Sequence, residues 1–255
     1  MAMANPGTGC VWVTGASSGI GSEVAARLAG DGHKVAISAR SRESLRNLAS
    51  EQENTNLHDF ELDVTDGIAV AQTAAAIEAE LGHIHTAVLC AGTYKPISAG
   101  AFDAMEACRQ VDVNVGGVLN CLDPLLRAML TRGTGHIAIV SSLTSRFGLP
   151  NAGVYGASKA GLVNLAEALR VECEGKGVTI QIINPGFVET PLTQQNTFEM
   201  PFLVPVDQAA ETIVSGLATN RFEIAFPWQM DLATRFLRFL PRRLAFALTR
   251  RMVTS

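Results

Sequence analysis

The stretch "CVWVTGASSGIGSEVAARLAGDG", residues 10–32, decides the fold. Residues 10–14 form a short apolar run that is typical of a buried strand, and residues 19–32 have the pattern of a following helix. Three glycines join the two elements. Gly15 permits a sharp exit from the strand, and Gly19 and Gly21 allow the chain to approach a ligand and the helix to approach the sheet. This strand, turn and helix predict the first unit of an α/β protein.

Six further apolar runs follow, and longer helical patterns separate them. They cover residues 34–39, 59–64, 86–92, 136–142, 178–186 and 221–226. Strands that alternate with helices require right-handed crossovers, which produce a parallel sheet covered on both faces. We therefore predict an α/β fold, a doubly wound, Rossmann-like parallel sheet of about seven strands with helices on both faces. No break in composition precedes residue 227, so residues 1–226 are expected to form one domain.

Composition excludes several classes of function. The chain has 255 residues and a net charge of −4, which gives no reason to expect nucleic acid as a partner. Its five cysteines form no CxxC pair and its five histidines have no metal-ligand spacing, so we expect free thiols and no metal site. The first ten residues lack the pattern of a secretory signal. These features predict a cytoplasmic protein.

The glycine turn is also a candidate cofactor site. Free N–H groups at the start of the helix suit a pyrophosphate, although a turn used for tight packing is the alternative. Sites for NAD often hold the ribose with a carboxylate at the end of the second strand, where this sequence has Ala39 and Arg40, with Arg42 nearby. A guanidinium without a carboxylate favours a 2′-phosphate, hence NADP(H), whereas a solvated surface arginine is the alternative.

Tyr155 and Lys159 in "YGASK" lie four residues apart, so a helix would place both on one face. A cation beside a phenol lowers its pKa, and the pair would then combine a proton donor with the group that tunes it. An ordinary exposed helix would carry the same pair without any chemistry.

Together these motifs resemble the short-chain dehydrogenase/reductase family in its single-domain form, over residues 10–226. The family pattern is matched by "TGASSGIG" at 14–21, by Asn114 in "VDVNVGG", by Ser142 in "IVSS", and by Tyr155 with Lys159. Two further matches are Asp63-Val64 after the third strand and "NPGFVET" at 184–190. One motif departs, because Leu89 and Cys90 stand where the family commonly has two asparagines that brace the sheet.

The resemblance implies an NADP(H)-dependent oxidoreductase that acts on a carbonyl or alcohol. Tyr155 would exchange a proton with the substrate oxygen, and Lys159 would lower the tyrosine pKa and hold the ribose. Ser142 would donate a hydrogen bond to the carbonyl oxygen, with Ser141 as its competitor. Asn114 would hold a water that links Lys159 to solvent, or else be a polar residue satisfied inside its helix.

The resemblance also implies the residues that contact the cofactor. Thr190 would reach the nicotinamide carboxamide, and Asp63 with Val64 would lie near the adenine. The complete predicted set is Gly15, Ser17, Ser18, Gly19, Ile20, Gly21, Arg40, Asp63, Val64, Ala91, Gly92, Tyr155, Lys159, Pro185, Gly186, Val188 and Thr190. A non-catalytic NADP(H) sensor or scaffold on the same fold is the alternative function.

Substrate choice is expected to depend on the segments 143–153 and 193–205, and an apolar small molecule is the predicted substrate. Arg146 in the first segment would meet an anionic substrate or be a solvated arginine. The resemblance further implies a homodimer or homotetramer.

The last 29 residues, 227–255, differ from the rest. They contain six arginines and one acid, a net charge of +5, which leaves −9 for the remainder. Phe236, Leu237, Leu240, Leu244 and Leu248 form an apolar stripe broken at Pro241. We expect this basic amphipathic extension to pack through the stripe on its own domain or on a second subunit, because such stripes most often cover a core. Two short helices on a membrane surface are the alternative.

Overall fold

The computed structural model describes residues 9–51, 56–196 and 199–250. The first eight residues, which bear on the absence of a signal, lie outside these ranges. So do Thr197 and Phe198 in the segment 193–205, and Arg251 in the C-terminal extension.

The described chain forms one parallel sheet of seven strands in the order β3-β2-β1-β4-β5-β6-β7. The strands are β1 Cys10–Thr14, β2 Lys34–Ala39, β3 Leu57–Glu61, β4 Ile84–Leu89, β5 Gly135–Val140, β6 Val178–Pro185 and β7 Glu223–Phe226. The predicted fold class is confirmed. The predicted strands were displaced by up to three residues, as with β3, which ends at Glu61 rather than at residue 64.

Helices cover both faces of the sheet. They are α1 Gly19–Gly30, α2 Arg42–Glu51, α3 Gly67–Leu81, α4 Ala104–Val111, α5 Gly117–Arg132, α6 Gly153–Glu172, α7 Val206–Leu217, α8 Trp228–Phe239 and α9 Arg242–Arg250. The helical pattern of residues 108–130 is not one regular α-helix in the structure, because a π-helical turn at Asp112–Gly116 separates α4 from α5.

Each face of the sheet has its own apolar core, because alternate residues of a strand point to opposite sides. In β1, Trp12 packs in the core that includes Leu122 of α5 and Leu162 of α6. Its neighbour Val13 packs in the core that includes Val24 of α1. This burial on both faces explains the continuously apolar strands.

The C-terminal extension forms two helices that are broken at Pro241, as the sequence indicated. Their buried side chains are Met230, Thr234, Ala245 and Thr249. The apolar stripe is not the face that packs on this chain's own domain. Phe236, Leu244 and Leu248 are exposed, since the small or flexible residues on the other side of each helix make the closer contacts.

Candidate active site

A cavity of about 380 Å³ lies at the carboxyl ends of the strands. It is centred where the strand order reverses between β1 and β4, which is the position at which doubly wound sheets bind ligands. Its volume falls in the range of small-molecule sites. The cavity brings together residues from the ends of β1, β2, β4, β5 and β6 that are far apart in the sequence.

The glycine turn after β1 forms one wall of this cavity. Gly15 and Gly19 have φ angles of +69° and +61°, which L side chains rarely adopt. A Cβ on Gly15 would lie 2.7 Å from the Cα of Ala91, and a Cβ on Gly19 would lie 3.0 Å from Cγ2 of Thr190. Ser18 precedes α1 without a side-chain capping bond to its first N–H groups. Glycine is therefore required by the close approach of the turn to Ala91 and Thr190, and the N-terminus of α1 is left uncapped for an anion.

All but one of the predicted site residues line the cavity. They are Gly15, Ser17, Ser18, Gly19, Ile20, Gly21, Arg40, Asp63, Val64, Ala91, Gly92, Ser142, Tyr155, Lys159, Pro185, Gly186, Val188 and Thr190. The remaining residue, Asn114, is fully buried behind the wall.

Arg40 lies at the end of β2 in the cavity wall, whereas Arg42 lies outside the wall and is paired with Glu61 at 3.3 Å. The pKa of Asp63 is lowered mainly by a hydrogen bond from the backbone N–H of Thr65, and to a smaller extent by the charge of Arg40. The cavity wall thus presents the side chain of Arg40 at the end of β2.

Helix α6 places Tyr155 and Lys159 side by side in the wall. The Lys159 Nζ donates a hydrogen bond to the carbonyl of Val140 at 2.9 Å and lies 5.7 Å from the centre of the Tyr155 ring. The ring of Tyr155 also contacts that of Tyr94 edge to face, with centroids 5.1 Å apart.

Burial dominates the titration of this pair. It raises the pKa of Tyr155 to about 12, against an opposing effect of the hydrogen bond with Ser142. It lowers the pKa of Lys159 to about 8. The pKa of Tyr155 is therefore raised and not lowered as expected, because desolvation of the phenolate is the dominant effect.

The two candidate serines have different environments. The hydroxyl of Ser141 donates a 2.8 Å hydrogen bond to the backbone carbonyl of Lys159. The hydroxyl of Ser142 accepts from the N–H of Thr144 at 3.2 Å, and its contact with the carbonyl of Pro185 is long, at 3.4 Å. The hydroxyl hydrogen of Ser142 is therefore held less tightly than that of Ser141, and Ser142 is the serine that can more easily donate to a ligand.

The side chain of Asn114 is hydrogen-bonded to other residues of the protein. Its Oδ1 accepts from the N–H of Thr93 at 2.7 Å, and its Nδ2 donates to the carbonyl of Thr93 and to the hydroxyl of Ser158. The amide thus connects the π-helical turn to the loop after β4 and to α6.

Leu89 and Cys90 stand where the family commonly has two asparagines, and here the side chain of Thr14 braces this part of the sheet. Thr14 Oγ1 accepts hydrogen bonds from the N–H groups of Cys90 and Ala91, at 3.1 and 3.2 Å. Burial raises the pKa of the Cys90 thiol to about 11, so at neutral pH it is a thiol and not a reactive thiolate.

Residues 9–200 match the family model of the short chain dehydrogenase. The chain belongs to the short-chain dehydrogenase family. An uncharacterized oxidoreductase of Myxococcus xanthus (strain DK1622) is 37% identical over 242 residues, covering 94% of this chain and 96% of the relative. The chain is therefore an oxidoreductase of the short-chain dehydrogenase family.

Two further similarities bear on the cofactor. A 2-dehydro-3-deoxy-L-rhamnonate dehydrogenase (NAD(+)) of Sphingomonas sp. (strain SKA58) is 34% identical over 187 residues, covering 73% of this chain and 74% of the relative. A crystal structure of an actinorhodin polyketide ketoreductase variant with NADPH superposes with a TM-score of 0.79 at 27% identity, covering 91% of this chain and 99% of that one. Similar proteins in the short-chain dehydrogenase family are thus named with either nicotinamide cofactor.

Sequence reasoning missed two features of this short-chain dehydrogenase. Tyr94 contacts the Tyr155 ring, and its place shortly after β4, at the carboxyl edge of the sheet, was an available signal. Both interpretations of Arg146 were wrong. Its side chain is 8% exposed and forms ion pairs with Glu223 and Asp231, since the extension covers the loop that carries it.

Proposed function

We propose that this oxidoreductase transfers a hydride between NADP(H) and a carbonyl or alcohol substrate. The observation that carries the proposal is the convergence of Ser142, Tyr155 and Lys159 beside the glycine turn. The turn and the N-terminus of α1 would hold the pyrophosphate, Asp63 and Val64 would border the adenine, and Thr190 would reach the nicotinamide carboxamide. When bound, the cofactor supplies or accepts a hydride at nicotinamide C4.

Tyr155 is the proposed general acid and base. Its raised pKa keeps the phenol protonated at neutral pH, which is the state needed to donate a proton to a substrate oxygen. Ser142 would donate its hydroxyl hydrogen to the same oxygen and stabilise the charge that develops there. Lys159 would hold the ribose hydroxyls and, when charged, stabilise the phenolate that remains after proton transfer.

The proposed proton relay through Asn114 requires its backbone, because its side chain is occupied by Thr93 and Ser158. Asn114 lies in the π-helical turn, where i→i+5 hydrogen bonding replaces the regular pattern, as it often does at functional sites. We propose that a backbone carbonyl of this turn, not the amide of Asn114, holds the water that supplies protons to Lys159.

The preference for NADP(H) over NAD(H) rests on Arg40. Its guanidinium lies in the cavity wall, at the end of a strand without a carboxylate in that position. A guanidinium pairs well with a phosphate, whereas a ribose hydroxyl is better held by a carboxylate. The NADPH of the ketoreductase structure supports this choice.

The substrate is proposed to be a small, apolar carbonyl compound or alcohol. We further propose a cytoplasmic location, supported by five free thiols, and assembly into a homodimer or homotetramer. Residues 1–226 would form the catalytic domain, and residues 227–255 an extension that packs on it through Met230 and Thr234.

A panel of ketones and aldehydes with NADPH, followed at the nicotinamide absorbance, tests the proposed reaction. We expect turnover with at least one member, and a loss of about 10²- to 10⁴-fold in Tyr155→Phe, while NADPH binding persists. Tyr155→Phe removes only the oxygen that transfers the proton. Tight NADPH binding by the wild type without turnover across the panel would instead support the non-catalytic sensor.

A further inference from the structure

Helix α8 turns an apolar ridge outward. Trp228, Leu232, Phe236 and Phe239 are 70%, 60%, 61% and 85% exposed. Their spacing of four, four and three residues places them in one line along the helix. We call these four residues the α8 ridge. Its opposite side carries the buried Met230 and Thr234, so the helix is attached to the protein by its less apolar face.

This arrangement is not explained by the core of the protein. An amphipathic helix normally buries its apolar stripe, and a contiguous exposed patch with a charged rim marks an interaction site. The ridge runs along all twelve residues of α8, about 16 Å from the first Cα to the last. Single exposed apolar residues, such as Ile68 and Val171 on other helices, are ordinary by comparison.

The exposed charges on α8 and α9 are positive. Arg238, Arg242, Arg243 and Arg250 are exposed on α8 and α9. The acid of the extension, Asp231, is already neutralised by ion pairs with Arg146 and Arg235. The surface therefore combines large apolar and aromatic side chains with cations, and it complements a partner that is apolar within and anionic at its surface.

We propose that the α8 ridge docks on an anionic lipid surface. The ridge would lie in the plane of the interface with its apolar side chains among the acyl chains, and the arginines would contact the headgroups. None of the helices in residues 9–51, 56–196 and 199–250 has the length and apolar character to cross a bilayer, so the contact is with one leaflet.

A second copy of the chain fits the ridge less well. In a two-fold symmetric contact the same surface lies on both sides, so both sides of the interface would carry the same excess of arginines. Like charges held together at an interface oppose association. A lipid headgroup layer places the opposite charge there instead.

The two tryptophans provide a direct test. Trp228 is exposed on the ridge, whereas Trp12 is fully buried and donates a hydrogen bond to Ser38 at 2.9 Å. Adding phosphatidylcholine vesicles that contain phosphatidylglycerol to the full-length protein should shift its emission to the blue, with a weaker effect at high salt. In Trp228→Phe the shift should disappear, while flotation of the protein with the vesicles persists.

Binding should depend on both parts of the surface. Phe236→Ser with Phe239→Ser should weaken vesicle binding by about tenfold or more. Arg242→Gln with Arg243→Gln should weaken it by about fivefold per charge, and only for anionic vesicles. The matched control, Ile68→Ser with Val171→Ser, removes equally exposed apolar groups elsewhere and should bind like the wild type. Circular dichroism and the Trp12 emission would verify that every variant is folded.

Three results would overturn the proposal. The first is the absence of binding to anionic vesicles at low salt. The second is binding that the ridge variant leaves unchanged. The third is self-association without lipid, seen by sedimentation velocity, that the Phe236 and Phe239 substitutions abolish, because this would identify a second copy as the occupant.

Discussion

The Lys159 ammonium is held by the carbonyl of Val140 at 2.9 Å and lies 5.7 Å from the centre of the Tyr155 ring. The lysine is thus fixed by the end of β5, and its charge faces the ring instead of being solvated. Burial acts on both members, since it raises the pKa of the phenol and lowers that of the amine. At neutral pH the site therefore holds a protonated phenol beside a cation whose charge is costly to maintain.

This cost predicts how stability depends on pH. The pKa of Lys159 is about 8 in the folded protein, against 10.5 for an ordinary lysine. Between these values the unfolded chain binds more protons, so the contribution of Lys159 to stability rises with pH through this window, and the penalty is fully present below pH 8. Relative to Lys159→Met, which keeps the apolar stem, the wild type should gain up to about 3 kcal/mol from pH 8 to pH 10.5.

Urea denaturation of both proteins across this pH range measures the effect, and taking the difference removes the titration of other groups. A difference between the two proteins that stays constant with pH would show that Lys159 titrates normally in the fold.

The serine pair gives a second prediction. Ser142→Ala removes the hydroxyl proposed to polarise the substrate carbonyl, so turnover should fall by about 10²- to 10³-fold. Ser141→Ala removes a hydrogen bond to the backbone of α6 and should instead cost about 1 kcal/mol of stability, with turnover largely kept. Steady-state kinetics and thermal denaturation of both variants separate the two roles. Equal losses of turnover would contradict the assignment of Ser142.

Cofactor choice is tested by two neighbouring arginines. Arg40→Ala should weaken NADPH binding by about ten- to a hundredfold, since charge-assisted hydrogen bonds contribute about 1.5–3 kcal/mol, and should leave NADH binding nearly unchanged. Arg42→Ala is the matched control, because Arg42 is paired with Glu61 outside the cavity. Fluorescence titration with both nucleotides measures these affinities. Equal affinity of the wild type for NADPH and NADH would refute the role of Arg40.

Local patterns predicted the fold, the glycine turn and the pair of Tyr155 and Lys159, whereas the other residues that line the cavity came from the resemblance to the short-chain dehydrogenase/reductase family. The glycine turn and the spacing of Tyr155 and Lys159 require only near-neighbour geometry, so the sequence carries them directly. In a parallel sheet the carboxyl ends of the strands lie at one edge, so the fold itself brings these distant segments together. The error in the predicted end of β3 did not change which residues line the cavity. Asp63 and Val64 line it from the loop after the strand.

Three features were not predictable in this way. The partners of Arg146 lie 77 and 85 residues away, and no local pattern identifies them. Helical periodicity reveals an apolar stripe but not its direction, so it could not show that Phe236 faces outward. The pKa of Tyr155 depends on how completely the site is buried, which spacing does not reveal.

The cluster around Arg146 supports the last prediction. Its guanidinium, on a side chain that is 8% exposed, contacts Glu223 at the start of β7 and Asp231 in α8, and Arg235 contacts the same two carboxylates from a half-exposed position. Arg146→Met would leave two partly buried carboxylates, 26% and 22% exposed, with one partner fewer and should destabilise the protein by about 1.5–3 kcal/mol. Arg235→Met removes a screened, solvated charge and should cost less than about 1 kcal/mol. Chemical denaturation of both variants gives these values, and similar losses for the two would show that burial does not set the strength of this network.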